Sequence, residues 1–355
     1  MKNKDIFTFR DAEKQAGPVA FSTMLKPAGS ACNLDCGYCY YLDKAAQYGG
    51  RQAVMADDLL ELYIRQYIEA NEVPVVTFCW HGGEPLLLGR DFYRRAVALQ
   101  RKYAAGKRIE NTLQTNGTLV DEAWCELFAE NGFLVGLSLD GPEDIHDAFR
   151  RTKGGRPTFA RVMRTVGMFR RTGVEYNTLS VVNRACEGRG AEIYRFFRDT
   201  VGSRYMQFLP AVEHVVDRAG LHRPLIVSPE TQGARPAEWS VTAEGYGTFL
   251  CDIFDEWVVS DVGQCFVQLF DATLAQWCGV QPGVCSMGET CGDALVVEHN
   301  GDVYSCDHFV YPEYLLGNIR ETPLAEIYRS RRRIDFGLAK RNALPAECLR
   351  CRYYF

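Results

Sequence analysis

The chain has 355 residues, roughly two domains' worth, with a formal net charge of −5 and 24% charged residues. That balance leaves no basic run long enough for a nucleic-acid groove, and RSRRR at 329–333 reads as a solvated helix face. The opening MKNKDIFTFRDAEK has no apolar h-region and no apolar window reaches the roughly 18 residues of a membrane span, so a cytoplasmic protein without nucleic-acid or membrane partners is expected.

From residue 18 to about 212, short apolar runs alternate with helical patterns. The runs predict strands at VAFSTML (19–25), PVVTFCW (74–80), IENTLQT (109–115), FLVGLSL (133–139), VEYNTLSVV (174–182) and RYMQFLP (204–210). Between the first two, ADDLLELYIRQYIEA places Leu59, Leu60, Tyr63, Ile64 and Tyr67 on one helical face behind an acidic first turn. Such alternation implies parallel strands joined by right-handed crossovers. Six strands fall short of a closed eight-stranded barrel, so residues 1–213 read as a partial (β/α)6 TIM-like barrel or an open α/β sheet. Residues 214–243 are rich in Pro, Gly and charge and read as a linker or inserted loop; residues 244–355 open on the helical YGTFLCDIFDEWVVS and become a cysteine-rich domain of a hairpin plus helices.

Short motifs follow each predicted strand: ACNLDCGYCYYLDK (31–44) the first, HGGEP (81–85) the second and NGT (116–118) the third. DGPEDIHDAFR (140–150) follows the fourth, Asn183 the fifth and Pro210 the sixth. Carboxyl ends of parallel strands are where α/β folds build active sites.

Fourteen cysteines in a reducing compartment point to metal or cluster ligation. Cys79, Cys125, Cys186, Cys251, Cys265 and Cys278 lack close partners in sequence and read as small buried hydrophobes. Cys32, Cys36 and Cys39 form C-x3-C-x2-C, three thiolates where structural zinc needs four ligands; His81 and His146 are the scattered candidates for a fourth. Three cysteines can also hold a four-iron cluster with one iron open to an amino acid's amine and carboxylate. The neighbouring motifs suit that ligand: Gly82 and Gly83 allow close backbone approach, Glu84 can accept from an ammonium, and Ser138 and Arg150 can hold hydroxyl and carboxylate groups.

In the tail, Cys285, Cys291 and Cys306 flank ALVVEHNGDVYSC, two alternating strands about Asn300-Gly301. A two-residue turn there sets Cys306 opposite Leu295, close to Cys291. CLRC supplies Cys348 and Cys351. A zinc ribbon built from these five cysteines is the alternative to iron–sulfur chemistry.

C-x3-C-x2-C after a first strand, followed by GGEP after the second, resembles the radical S-adenosylmethionine (SAM) superfamily. The resemblance implies a [4Fe-4S] cluster on Cys32, Cys36 and Cys39 whose open iron is chelated by SAM, and SAM contacts at Tyr38, Gly83, Ser138, Arg150 and Leu209. His81 departs from relatives with Gln before the glycines. The tail resembles the SPASM extension, which holds up to two auxiliary [4Fe-4S] clusters, and VEHNGDVYSCDHF with LLGNIRETPLAEIY is most similar to anaerobic sulfatase-maturating enzymes. Those enzymes oxidise a cysteine or serine in a Cys/Ser-x-Pro-x-Arg motif of a sulfatase polypeptide to Cα-formylglycine, with reduced ferredoxin or flavodoxin as the expected electron donor.

The resemblance also implies that Asp307 is the catalytic base and that Tyr41 lines the substrate site. The family pattern continues with three more cysteines beyond CRYYF, so a chain truncated at its C-terminus is expected. Two rival functions are another SPASM peptide modifier making thioethers or cross-links, and a non-enzymatic cysteine-rich redox or metal-binding protein.

Overall fold

A computed structural model describes residues 19–49, 54–217, 224–228 and 230–354. The opening MKNKDIFTFRDAEK and part of the 214–243 segment lie outside the described residues. All six predicted strands form: β1 (Ser22–Lys26), β2 (Val75–Trp80), β3 (Arg108–Thr115), β4 (Phe133–Ser138), β5 (Tyr176–Val182) and β6 (Tyr205–Pro210). They pair in parallel and in chain order. The intervening helices are α1 (Asp57–Ala70), α2 (Arg90–Tyr103), α3 (Glu122–Glu130), α4 (Glu143–Phe149), α5 (Phe159–Thr172) and α6 (Gly190–Arg195).

Strand alternation separates the helix-covered face from the inner face. Along β2 every second residue is buried. Phe78 meets Tyr63 and Tyr67 of α1 edge-on, and Trp80 meets Phe92 and Tyr93 of α2 in the same way. Burying a side chain such as Phe78 contributes about 2–3 kcal/mol. α3 starts where the Asp121 carboxylate accepts from Trp124 N–H at 2.9 Å, and α5 stops at Gly173, whose φ of 72° is left-handed.

The 214–243 segment, expected to be a linker or loop, carries a small antiparallel sheet of β7 (His214–Val216), β8 (Leu225–Val227) and β9 (Arg235–Pro236). Val215, Ile226 and Ala237 form its core, against which Tyr40 and Trp239 pack. Next come α7 (Ala243–Ser260), the short β10 (Phe266–Val267) alongside β6, and α8 (Gln268–Trp277).

The tail does not stand apart from the barrel. β11 (Ala294–Glu298) pairs in parallel with β1 over five positions, from Ser22↔Ala294 to Lys26↔Glu298. β12 (Asp302–Tyr304) and β13 (Leu315–Asn318) follow, so that one ten-stranded sheet runs from β10 to β13. The hairpin register differs from the two-residue turn expected. Val296 faces Tyr304, and His299, Asn300 and Gly301 form the loop; Gly301 has φ 93° and donates N–H to Glu298 O at 2.9 Å. The extra loop residue shifts the pairing by one position, so Cys306 does not stand opposite Leu295.

α9 (Leu324–Arg329), α10 (Arg331–Asn342) and α11 (Ala346–Arg350) complete the described chain. Arg333 corrects the reading of 329–333 as a solvated face: it is buried, and its guanidinium binds Tyr328 O, Gly292 O and Asp293. Cys251 and Cys278 are exposed rather than buried, whereas Cys125, Cys186 and Cys265 are buried as expected. Among the described residues, no helix is long and apolar enough to cross a membrane.

Candidate active site

The loop that carries Cys32, Cys36 and Cys39 leaves β1 and is stitched to the loop after α4. Leu34 bridges Thr152, Asp35 N–H donates to Arg151 O at 2.8 Å, and Gly37 N–H donates to Phe149 O at 3.1 Å. Leu34, Cys36 and Tyr38 form a small buried cluster with Phe149, Val181 and Trp239 against it. The HGGEP segment closes the other side. Gly83 N–H donates to Gly29 O and Glu84 N–H to Ala31 O, both at 2.8 Å. A Cβ on Gly83 would stand 2.1 Å from Ala31 O, so only glycine allows this approach.

The three thiols suit a cluster. Burial pushes Cys32 up to about 11 and Cys36 up to about 12, and the nearby Cys39 thiol adds to both. The Arg150 charge partly opposes the rise at Cys36. The Cys32 sulfur is aimed at by Leu34 N–H at 3.4 Å and by Asn116 Nδ2 at 3.8 Å. Buried soft donors that stay protonated until cationic iron displaces their protons are the donor set of a thiolate-held iron–sulfur cluster.

The expected SAM contacts line the strand ends, and the structure gives each a place. Glu84 is fully buried, accepting from Leu86 N at 3.0 Å, Thr115 Oγ1 at 2.8 Å and Asn116 N at 2.8 Å. It ties the end of β2 to the end of β3, and burial raises its pKa to about 7. Gly82, at φ 125°, packs over Gly29 O. Ser138 Oγ accepts from Gln114 Nε2 at 2.9 Å, and Leu209 is partly exposed on β6.

Arg150 Nε stands 3.0 Å from Asp140 Oδ2 but aims poorly for a hydrogen bond, so the pair is electrostatic. Burial works against the Arg150 charge, and Asp140 outweighs it, holding the guanidinium ionised. Asp140 also accepts from Tyr38 OH and, at 3.0 Å, from Val181 N. Sequence reasoning missed Asp140 as a hub, although DGP directly after a buried strand was the available signal.

Asp307 sits at the junction of the two cysteine groups. It follows Cys306 in the chain, and its carboxylate accepts from Lys26 Nζ and from Tyr40 OH; Tyr40 directly follows Cys39. Burial alone would raise the Asp307 pKa, but the Lys26 ammonium holds it below the usual carboxylate range. Lys26 is fully buried at the end of β1, with Nζ 3.5 Å from the Tyr41 ring centroid. Tyr41 OH donates to Glu298, at 2.8 and 2.7 Å from its two oxygens, and Glu298 is the β11 partner of Lys26. Lys26, Tyr40 and Glu298 escaped sequence reasoning; charges ending the apolar runs STMLK and ALVVE were the clue.

In the tail, burial pushes Cys306 up to about 11 and also raises Cys291, and the nearby Cys285 adds to both. Lys340 on α10 donates to the carbonyls of Cys285, Ser286 and Gly288 at 2.7, 2.8 and 2.6 Å. Cys291 N–H donates to Gly337 O, and a Cβ on Gly337 would stand 2.2 Å from Cys291 O. Cys348 and Cys351 are exposed on α11 and just after it.

Comparison with known proteins agrees with this geometry. Residues 27–184 match the radical SAM superfamily, and residues 285–352 match an iron–sulfur cluster-binding domain named SPASM. The chain is 48% identical to a serine-type anaerobic sulfatase-maturating enzyme of Bacteroides thetaiotaomicron over 94% of its own length and 80% of the relative's. A cysteine-type enzyme of Clostridium perfringens is 32% identical over 94% of this chain and 86% of the relative. A solved structure, native anSMEcpe with bound AdoMet and Cp18Cys peptide, superimposes with TM-score 0.82 at 30% identity, covering 95% of this chain and 87% of that one. The chain belongs to the anaerobic sulfatase-maturating enzymes, within the radical SAM superfamily.

Proposed function

We propose that this chain oxidises a serine or cysteine of a sulfatase polypeptide, within a Cys/Ser-x-Pro-x-Arg segment, to Cα-formylglycine. The observation that carries this reading is Asp307, one carboxylate bonded beside the first cysteine group through Tyr40 and covalently next to the second through Cys306. Cys32, Cys36 and Cys39 would hold a cluster that, together with SAM, would supply 5′-deoxyadenosyl-radical chemistry able to remove a hydrogen atom from the target Cβ, and the tail cysteines would hold a cluster able to accept the second electron.

The protein's own residues place the target and handle its proton. Asp307, kept ionised by Lys26, accepts the hydroxyl or thiol proton as the second electron leaves the substrate. A serine then becomes the aldehyde directly, and a cysteine becomes a thioaldehyde that water hydrolyses. Arg150 and Ser138 hold the amino-acid part of SAM, and Tyr41, locked by Glu298, forms the wall beside Lys26. A reduced ferredoxin or flavodoxin is the proposed electron source.

The test is anaerobic. The protein is reconstituted with iron and sulfide, then given SAM, reductant and a Ser-x-Pro-x-Arg or Cys-x-Pro-x-Arg peptide, and mass spectrometry follows deoxyadenosine and peptide together. Peptide oxidation in step with deoxyadenosine is the expected result. Deoxyadenosine formed beside an unaltered peptide would overturn the proposed substrate.

A further inference from the structure

His81 opens the HGGEP segment, and the proposed chemistry gives it no part. It stands one position past β2, and its backbone N–H donates to Leu25 O at 2.8 Å, so it prolongs the pairing of β2 with β1. Leu25 pairs with Trp80, which sets His81 beside Lys26, whose Nζ donates to Asp307. Alternation along β2 turns Phe78 and Trp80 into the helix-covered core. His81 therefore falls on the inner face, at the strand ends, next to the Lys26–Asp307 pair.

The imidazole is held in one tautomer. Gly82 N–H donates to Nδ1 at 2.8 Å. A backbone N–H only donates, so Nδ1 is the acceptor and the neutral ring carries its proton on Nε2. Burial pushes the His81 pKa down to about 4; Asp307 opposes the fall and Lys26 adds to it. The ring is half-buried, and Nε2 has no hydrogen bond among the described residues. An N–H donor beside a carboxylate acceptor is the complement of a hydroxyl, which accepts and donates at one atom. A thiol matches less well, because sulfur is a weak acceptor. Asp307 alone separates the two poorly, since O–H and S–H both donate to a carboxylate.

We propose that His81 Nε2–H donates to the side-chain oxygen of the residue being oxidised and thereby favours serine over cysteine. The hydroxyl then aims its own hydrogen at Asp307. The same oxygen remains an acceptor when it becomes the carbonyl of the aldehyde, so the bond persists through the oxidation. The Gln found before the glycines in other relatives offers an N–H on a carboxamide that turns freely, whereas the Gly82 bond fixes the direction of the His81 donor. This inference rests on the serine- or cysteine-oxidising reading above.

The test uses the full chain, reconstituted with iron and sulfide and supplied with SAM, and three fluorescent peptides that differ only in Ser, Cys or Ala before x-Pro-x-Arg. Anisotropy gives Kd for each peptide, and mass spectrometry gives kcat/KM for the Ser and Cys peptides. His81→Phe keeps a ring and removes the N–H. It should lower kcat/KM for Ser roughly tenfold, the loss of one well-made hydrogen bond, and for Cys far less, and it should narrow the Kd gap between the Ser and Ala peptides. His81→Gln, which restores an N–H, should recover most of the Ser/Cys ratio. A ratio left at the parent's value by His81→Phe would overturn the inference, while the parent's turnover left the oxidising reading standing. Should the variant not fold, the parent alone decides: equal Kd for the Ser and Ala peptides would overturn the inference, and tighter binding of Ser supports it. A parent that oxidises neither peptide would overturn the reading, and this inference with it.

Discussion

The two cysteine groups are built on different principles. Around Cys32, Cys36 and Cys39, the protein supplies its own scaffold: a β-bridge, paired backbone bonds to residues 149–151, and glycines that press HGGEP against the loop. In the tail, Lys340 and Gly337 hold the Cys285–Cys291 segment, but Cys285, Cys348 and Cys351 stay exposed. The first group is preorganised by packing, and the second relies more on the metal to gather its ligands. Asp307 and β11 are where the two meet.

The largest test breaks the link between the groups. Asp307→Asn should keep deoxyadenosine formation and lower peptide oxidation by about 10²- to 10⁴-fold, the usual worth of a positioned base. Oxidation at parental rate would remove Asp307 from the chemistry. Chelating the iron should then separate the groups by hydrogen exchange. The amides of Asp35 and Gly37, bonded across to residues 149–151, should keep their protection, whereas those of Cys351 and Tyr354, bonded within an exposed turn, should lose it. Equal loss in both groups would erase the distinction.

Smaller effects probe the first scaffold alone. Gly83→Ala places a methyl against the Ala31 carbonyl and should destabilise the barrel by about 3 kcal/mol, with iron lost from the first group before the second. His146 supports the loop that carries Arg150 and is pushed down to about 4 by burial. Its folded pKa lies below its unfolded value of 6.5, so the unfolded chain binds the proton more readily. The contribution is complete above pH 6.5 and is lost as pH falls toward 4. Thermal melts should show about 3 kcal/mol of lost stability over that window, and His146→Gln should flatten the slope.

Much of the first region was readable from residues alone. Alternating apolar runs located β1 to β6, because each strand has one face under helices and one facing inward. Motif spacing located Cys32, Cys36 and Cys39, and their strand-end position, because local chemistry and local geometry coincide there. The tail was harder. Asn300-Gly301 announced a hairpin but not the three-residue loop that sets its register. Nothing local announced that Ala294–Glu298 would pair with Ser22–Lys26. The roles of Lys26, Tyr40 and Glu298 were hidden for the same reason, since a charge ending an apolar run marks a position but not its partner, and each acquires its partner only when distant strands meet.

That pairing has a consequence for the order of assembly. Ser22 N–H donates to Asp293 O, and the two residues are 271 apart in sequence. During synthesis, β1 and the cysteine loop leaving it emerge early, yet the edge of β1 stays open until β11 has been made. Lys26 likewise waits for Asp307 before its charge is balanced. Because contacts of such span form slowly, the loop that takes the first cluster reaches its final setting only near the end of chain synthesis, and a nascent chain halted before residue 294 should present that loop beside an unpaired strand.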